Sequence, residues 1–134
     1  MAKSFFPISI LLLALLAACG KDHSSLPGLT GSWKLTRSGG DGVVGPTSYV
    51  GPPKVLQLQA EGKYYRFYNG ALSESGTYIL TRRRLGNRSD TILTVMNNGS
   101  VQHKYFHSYG TEMLLMDADR PILNAFQEIF DKIQ

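Results

Sequence analysis

Three sets of side chains invite a chemical reading: two histidines four residues apart (His103 and His107), four clustered cations (Arg82, Arg83, Arg84 and Arg88), and a single thiol, Cys19. On a helix the two histidines would share a face and could hold a metal. The segment VQHKYFHSY alternates as a strand does, and there four residues span roughly 13 Å. That separates the imidazoles too far for both to approach one zinc to about 2 Å, so no metal is expected. No serine lies in a nucleophile-elbow context. The carboxylates are scattered, with Glu61 in a turn and Glu74 beside a hairpin, and no glycosidase-type pair is implied. The chain therefore reads as non-enzymatic and free of cofactors. The arginines read as a solvated loop, or as a contact for phosphate-bearing lipid or polysaccharide.

Cys19 follows an apolar stretch from Phe5 to Ala18, broken only by Pro7 and Ser9 and preceded by one cation, Lys3. The stretch falls short of the about 20 residues that span a bilayer and fits the apolar core of a secretory signal. Leu16-Ala17-Ala18-Cys19 resembles the lipobox of bacterial lipoproteins. The resemblance implies diacylglycerol transfer to the Cys19 sulfur, cleavage before Cys19, and acylation, as with palmitate, of the new amino terminus. Two or more acyl chains anchor a protein stably where one holds it only marginally. Gly20 follows, where an aspartate would suggest inner-membrane retention, so the implied location is the outer membrane, on its periplasmic or cell-surface face. With no second cysteine, a hydrophobic core must hold the fold without disulfides.

Residues 1–18 thus read as a lipoprotein signal peptide, 19–30 as a lipidated tether with Pro27 and Gly28, and 31–134 as one domain. A net charge of +4 is too mild to imply a nucleic-acid partner. GSWKLTR, KVLQLQA, KYYRFY, residues 72–80, TILTVM, VQHKYFHSY and EMLLM read as strands. Asn69-Gly70 and Asn97-Asn98-Gly99 signal hairpin turns. Residues 38–53, dense in Gly and Pro, read as a long loop, and TRRRLGNRS (81–89) as a basic connector. Tight turns every ten or so residues predict an all-β fold, a small antiparallel up-and-down barrel that removes its own sheet edges. The tail leaves two readings open. Ile122, Phe126, Ile129, Phe130 and Ile133 have helical spacing, with Asp117, Asp119 and Pro121 suited to a helix start. The same residues can also form a closing strand. Asp90-Thr91-Ile92 fits a bacterial O-glycosylation pattern, and Asn87-Arg88-Ser89 and Asn98-Gly99-Ser100 fit the N-glycosylation acceptor.

Gly31-Ser32-Trp33 resembles the Gly-x-Trp signature of lipocalins. Gly62-Lys63-Tyr64-Tyr65, Gly76-Thr77-Tyr78, Leu114-Leu115-Met116-Asp117 and Phe130-Asp131-Lys132-Ile133 are similar to strands of bacterial lipocalin-like lipoproteins. The resemblance implies a lipocalin-like barrel with Trp33 plugging its closed end and the tail as its last strand. The later Thr-Asp-Tyr signature and the disulfide of eukaryotic-type lipocalins are absent, and the chain is short. An interior filled by its own side chains is therefore also open. The expected function is a lipid-anchored binding module. A small apolar ligand would lie on Trp33 as floor, with Tyr65, Phe67 and Tyr78 as walls. The alternative is an inhibitor-type or structural barrel that docks a protein partner through its loops.

Overall fold

Alternation with a period of two dominates residues 31–134, and in the computed structural model every regular element among the described residues is a strand. The structure describes residues 28–40, 45–120 and 125–134; the expected signal segment, Cys19 and the expected tether up to Pro27 lie outside them. The strands are β1 (Gly31–Gly39), β2 (Thr47–Ser48), β3 (Lys54–Leu58), β4 (Lys63–Tyr68), β5 (Ala71–Leu85), β6 (Arg88–Asn97), β7 (Ser100–Tyr109), β8 (Glu112–Asp117) and β9 (Gln127–Lys132).

Each long strand pairs antiparallel with the next, and β9 returns to β1, with Leu35 opposite Phe130 and Gly39 opposite Gln127. The result is a closed eight-stranded up-and-down barrel. The two-residue β2 is appended to β1 through Arg37 and Ser48. Asn69-Gly70 and Asn98-Gly99 turn β4 into β5 and β6 into β7, all four residues at positive φ. These are the backbone angles whose twist matches a two-residue hairpin.

One end of the barrel gathers the starts of β1 and β4, the ends of β3 and β9, and both ends of the described chain. The Ser32 amide donates to the Gln134 carbonyl there. We call this the tether end and the opposite end the mouth. Trp33 plugs the tether end, fully buried, with its Nε1–H donating to the Leu29 carbonyl at 2.9 Å. Around and above it Leu56, Leu58, Tyr64, Leu93, Met113 and Leu115 fill the barrel interior.

One reading left open by the sequence is settled, and one expectation needs correction. Among the described residues the tail is strand, not helix. Phe130 and Ile129 are buried while Phe126 and Ile133, their would-be helical partners, are exposed. Without β9 the edges of β1 and β8 would be bare, and their hydrogen bonds outweigh the helical spacing. Residues 121–124, including Pro121 and Ile122, lie outside the described residues. The basic connector at 81–89 is instead a continuation of β5 and β6, with only Gly86-Asn87 turning between them. Loop 38–53 is broken by β2, and the Tyr49 ring packs against the core cluster with Lys54 Nζ 5.1 Å from its centre.

Candidate functional site

Directly opposed residues of antiparallel neighbours share a face, so the register identifies what points inward. Near Trp33 the inward side chains are apolar. Toward the mouth they become polar: Arg66 opposite Glu74, Asn97 opposite Ser100, Lys104 opposite Asp117, and Glu128 opposite Leu115. These groups line the upper wall of the barrel.

Glu74 is the hub. Tyr64 donates its hydroxyl to Glu74 Oε1 at 2.5 Å, and Arg66 Nε lies 3.9 Å from Glu74 Oε2. Across the mouth, Lys104 Nζ donates to Asp117 Oδ1, with only 12% and 23% of the two side chains exposed. Pairing and hydrogen bonding let these charges sit where an unpaired ion would be strongly disfavoured. Two hollows open into this layer. One of about 200 Å³ is lined by Lys54, Leu56, Arg66, Tyr68, Glu74, Glu128 and Phe130, among others. The other, of about 360 Å³, is lined by Tyr64, Ser73, Glu74, Val95, Asn97, Ser100 and Gln102. Ser73 and Glu74 border both.

Burial, then the hydrogen bond to Glu74, pushes the Tyr64 hydroxyl from its ordinary value of 10 up to about 12. Burial also raises Tyr78. In the folded protein Tyr64 therefore keeps its proton through a pH range in which the unfolded chain loses it. Folding binds a proton there, so stability is expected to be intact below pH 10 and to fall as pH rises toward about 12. Denaturant melts across that range check the sign. Glu74→Gln is expected to lower the Tyr64 midpoint, followed by tyrosinate absorbance, while leaving it above the ordinary value because burial persists.

Of the four residues expected to line an apolar pocket, the fold gathers Trp33 and Tyr78 in one core cluster and sets Tyr65 and Phe67 apart from them. Trp33 and Tyr78 lie in the core, and the Tyr78 hydroxyl donates to the Gln59 carbonyl at 2.7 Å. Tyr65 opposes Gln57 and Phe67 opposes Val55, on the face of β4 opposite the buried Tyr64. They are half-buried on the outer wall. His103 faces outward opposite Thr94, whose Oγ1 is 3.0 Å from its Nδ1, and His107 stacks on Tyr109. Among the described residues no three His, Cys, Asp or Glu gather as a metal site would need.

The polar mouth was not anticipated from sequence. Its signal was Gly76, a glycine inside a strand. It lies opposite Tyr64 and marks Tyr64, rather than Tyr65, as the ring that turns inward. Compared with known proteins, the chain matches no family model, no curated sequence and no solved structure, so what this mouth does must be argued from its own geometry.

Proposed function

We propose that this protein is an outer-membrane lipoprotein of the lipocalin-like kind, anchored through Cys19, whose barrel is a docking module for a protein partner and not a carrier of apolar ligands. The observation that carries this reading is the filled axis: the largest side chains of the core occupy the space a ligand would need. Of the two hollows at the mouth, the one beside Phe130, about 200 Å³, is smaller than the roughly 300–1,000 Å³ of small-molecule sites and is walled by Lys54, Arg66, Glu74 and Glu128, and the one of about 360 Å³ is lined mainly by polar groups, Ser73, Glu74, Asn97, Ser100 and Gln102 among them. An acyl chain gains little there.

The mouth has the attributes of a protein-binding surface. Exposed large apolar side chains gather around it, namely Val50 (93% exposed), Tyr68, Leu72, Val101 and Phe126. Such clusters commonly mark interaction surfaces. At the centre lie paired charges of both signs, which suit a partner segment carrying both apolar and polar groups. The described chain enters at the opposite end, so an anchor at Cys19 leaves the mouth facing away from the attachment point.

Three measurements test this. Intact mass of the protein from a bacterial host should show cleavage before Cys19 and added acyl groups, and Cys19→Ala should leave the membrane fraction. A photo-crosslinking residue in place of Tyr68 should trap a discrete protein adduct in cells, while one in place of Tyr109, at the tether end, should not. Saturating fatty acid should leave the melting temperature unchanged. Equal adducts from both positions would undo the docking reading, and a saturable rise in melting temperature with fatty acid would restore the carrier.

A further inference from the structure

Beyond the mouth, the sheet register isolates a second element. β4 pairs with β5 only as far as Thr77, and β7 pairs with β6 only from Thr91. Between these limits Arg82 opposes Thr91, Arg83 opposes Asp90, and Arg84 opposes Ser89. β5 and β6 therefore run on past the barrel wall as a two-stranded ribbon. Thr91 still pairs with Phe106, so the three rungs after it, at about 3.3 Å per residue, reach on the order of 10 Å beyond the last shared pairing. Because β5 runs from mouth to tether end, the ribbon projects at the tether end.

Its composition is one-sided. Arg82, Arg83, Arg84 and Arg88 are all exposed, and none takes part in an ion pair among the described residues. Asp90 is the only acidic residue between positions 81 and 91. By strand alternation Arg82 and Arg84 share one face, and Arg83 and Arg88 the other. A ribbon cationic on both faces does not lie flat against one complementary protein surface. Arg82 and Arg83 also border a hollow of about 370 Å³ with His103 and Asp119, while Arg84 and Arg88 at the tip put positive charge on both faces, which suits end-on entry into a layer of anionic headgroups. Guanidinium groups bind phosphate oxygens in pairs.

We propose that this ribbon is a membrane-facing foot: its four arginines bind anionic phospholipid headgroups and hold the tether end of the barrel against the bilayer. The orientation rests on the anchor reading above; the headgroup contact does not need the acyl chains. Eight residues lie between Cys19 and Gly28, enough chain, at up to about 3.5 Å each, for the ribbon to touch the surface the anchor enters. The foot would fix the mouth outward where a tether alone would let the barrel tumble.

The test uses the protein as its host processes it. One fluorophore is placed at Asn87→Cys, at the ribbon tip, or at Ser100→Cys, at the mouth. The protein is added to vesicles of phosphatidylcholine, with or without phosphatidylglycerol, containing headgroup-nitroxide lipid as quencher. The Asn87 position should be quenched several-fold more than Ser100 when phosphatidylglycerol is present. The difference should collapse at high salt and when the four arginines become glutamine. Four lysines should largely restore it, which separates lost charge from a damaged fold. Equal quenching at both positions, or quenching indifferent to phosphatidylglycerol, overturns the foot and favours another polyanion as its partner. Intact mass reads the anchor independently. If no acyl groups are found, the anchor reading fails alone. The ribbon must then bring the chain to phosphatidylglycerol vesicles by itself, each Arg→Gln weakening partition about fivefold; no partition overturns it.

Discussion

Trp33→Ala is expected to lower the melting temperature by roughly 15–30 °C, or to leave the chain unfolded. Removing a buried indole costs about 3–5 kcal/mol, because lost transfer energy and the residual cavity add. In a domain of this size each kcal/mol shifts the midpoint by roughly 4–8 °C. Trp33 has no exposed surface and sits where the barrel could otherwise admit water from the tether end. Its loss has further consequences. The Leu29 carbonyl gives up its indole donor, and Lys132 Nζ, 5.3 Å from the ring centre and bonded to the Gly28 carbonyl, loses the aromatic face beneath it. The plug thus also fastens the incoming chain to β9. Trp33→Phe keeps most of the volume and removes the N–H, so a loss of about 1–2 kcal/mol is expected. Phe67→Ala, on the outer wall, should cost less than Trp33→Ala by at least half. Thermal melts of the three variants check the order. Equal losses at Trp33 and Phe67 would mean that the barrel's inside and outside are wrongly assigned.

That contrast shows where the sequence was legible. Alternation in GSWKLTR and KVLQLQA, with Asn-Gly turns between later strands, specified the barrel because one face of each strand must be apolar and the turns admit few geometries. In KYYRFY both faces carry aromatics, so alternation gives two equivalent answers. Tyr64 and Phe67 are separated by which ring finds a glycine across from it, a property of the neighbouring strand. The extra residue in β5 at Ser73, where the register shifts between Arg66 and Phe67, also lay beyond a reading that assumed regular pairing. Charged TRRR looked like a connector because strands in a wall have one dry face. A ribbon wet on both sides has no such requirement, so charge at successive positions does not exclude pairing. The tail carried a helical pattern that closure overrode, since the bond partners offered by β1 and β8 are not visible in the tail's own residues. The mouth's ionic groups are spread over β4, β5, β7, β8 and β9, and only the register assembles them.

Gly76→Ala is expected to be the most damaging single methyl in the wall, at about 3 kcal/mol or more. A Cβ at this position would stand 2.1 Å from the Met96 carbonyl oxygen and 2.9 Å from the Tyr64 ring. Neither neighbour can yield cheaply. The Met96 carbonyl belongs to the backbone of β6, which pairs with β5 next to this point at Thr77. The Tyr64 ring is buried without exposed surface and is held at its far end by Glu74. Relief therefore comes by parting β5 from β6 or by swinging the ring outward, and the second route leaves a spectroscopic trace. A displaced Tyr64 regains water and loses Glu74, so its titration should slide from about 12 back toward 10. Gly45→Ala provides the control, because nothing lies within 4 Å of its added carbon and its backbone is ordinary. That substitution should be neutral, or stabilising by up to about 1 kcal/mol through the unfolded chain. If Gly76→Ala melts with Gly45→Ala and leaves the tyrosine titration in place, Tyr64 does not cover Gly76. The inward placement of Arg66 and Glu74, which depends on the same register, would then fall with it.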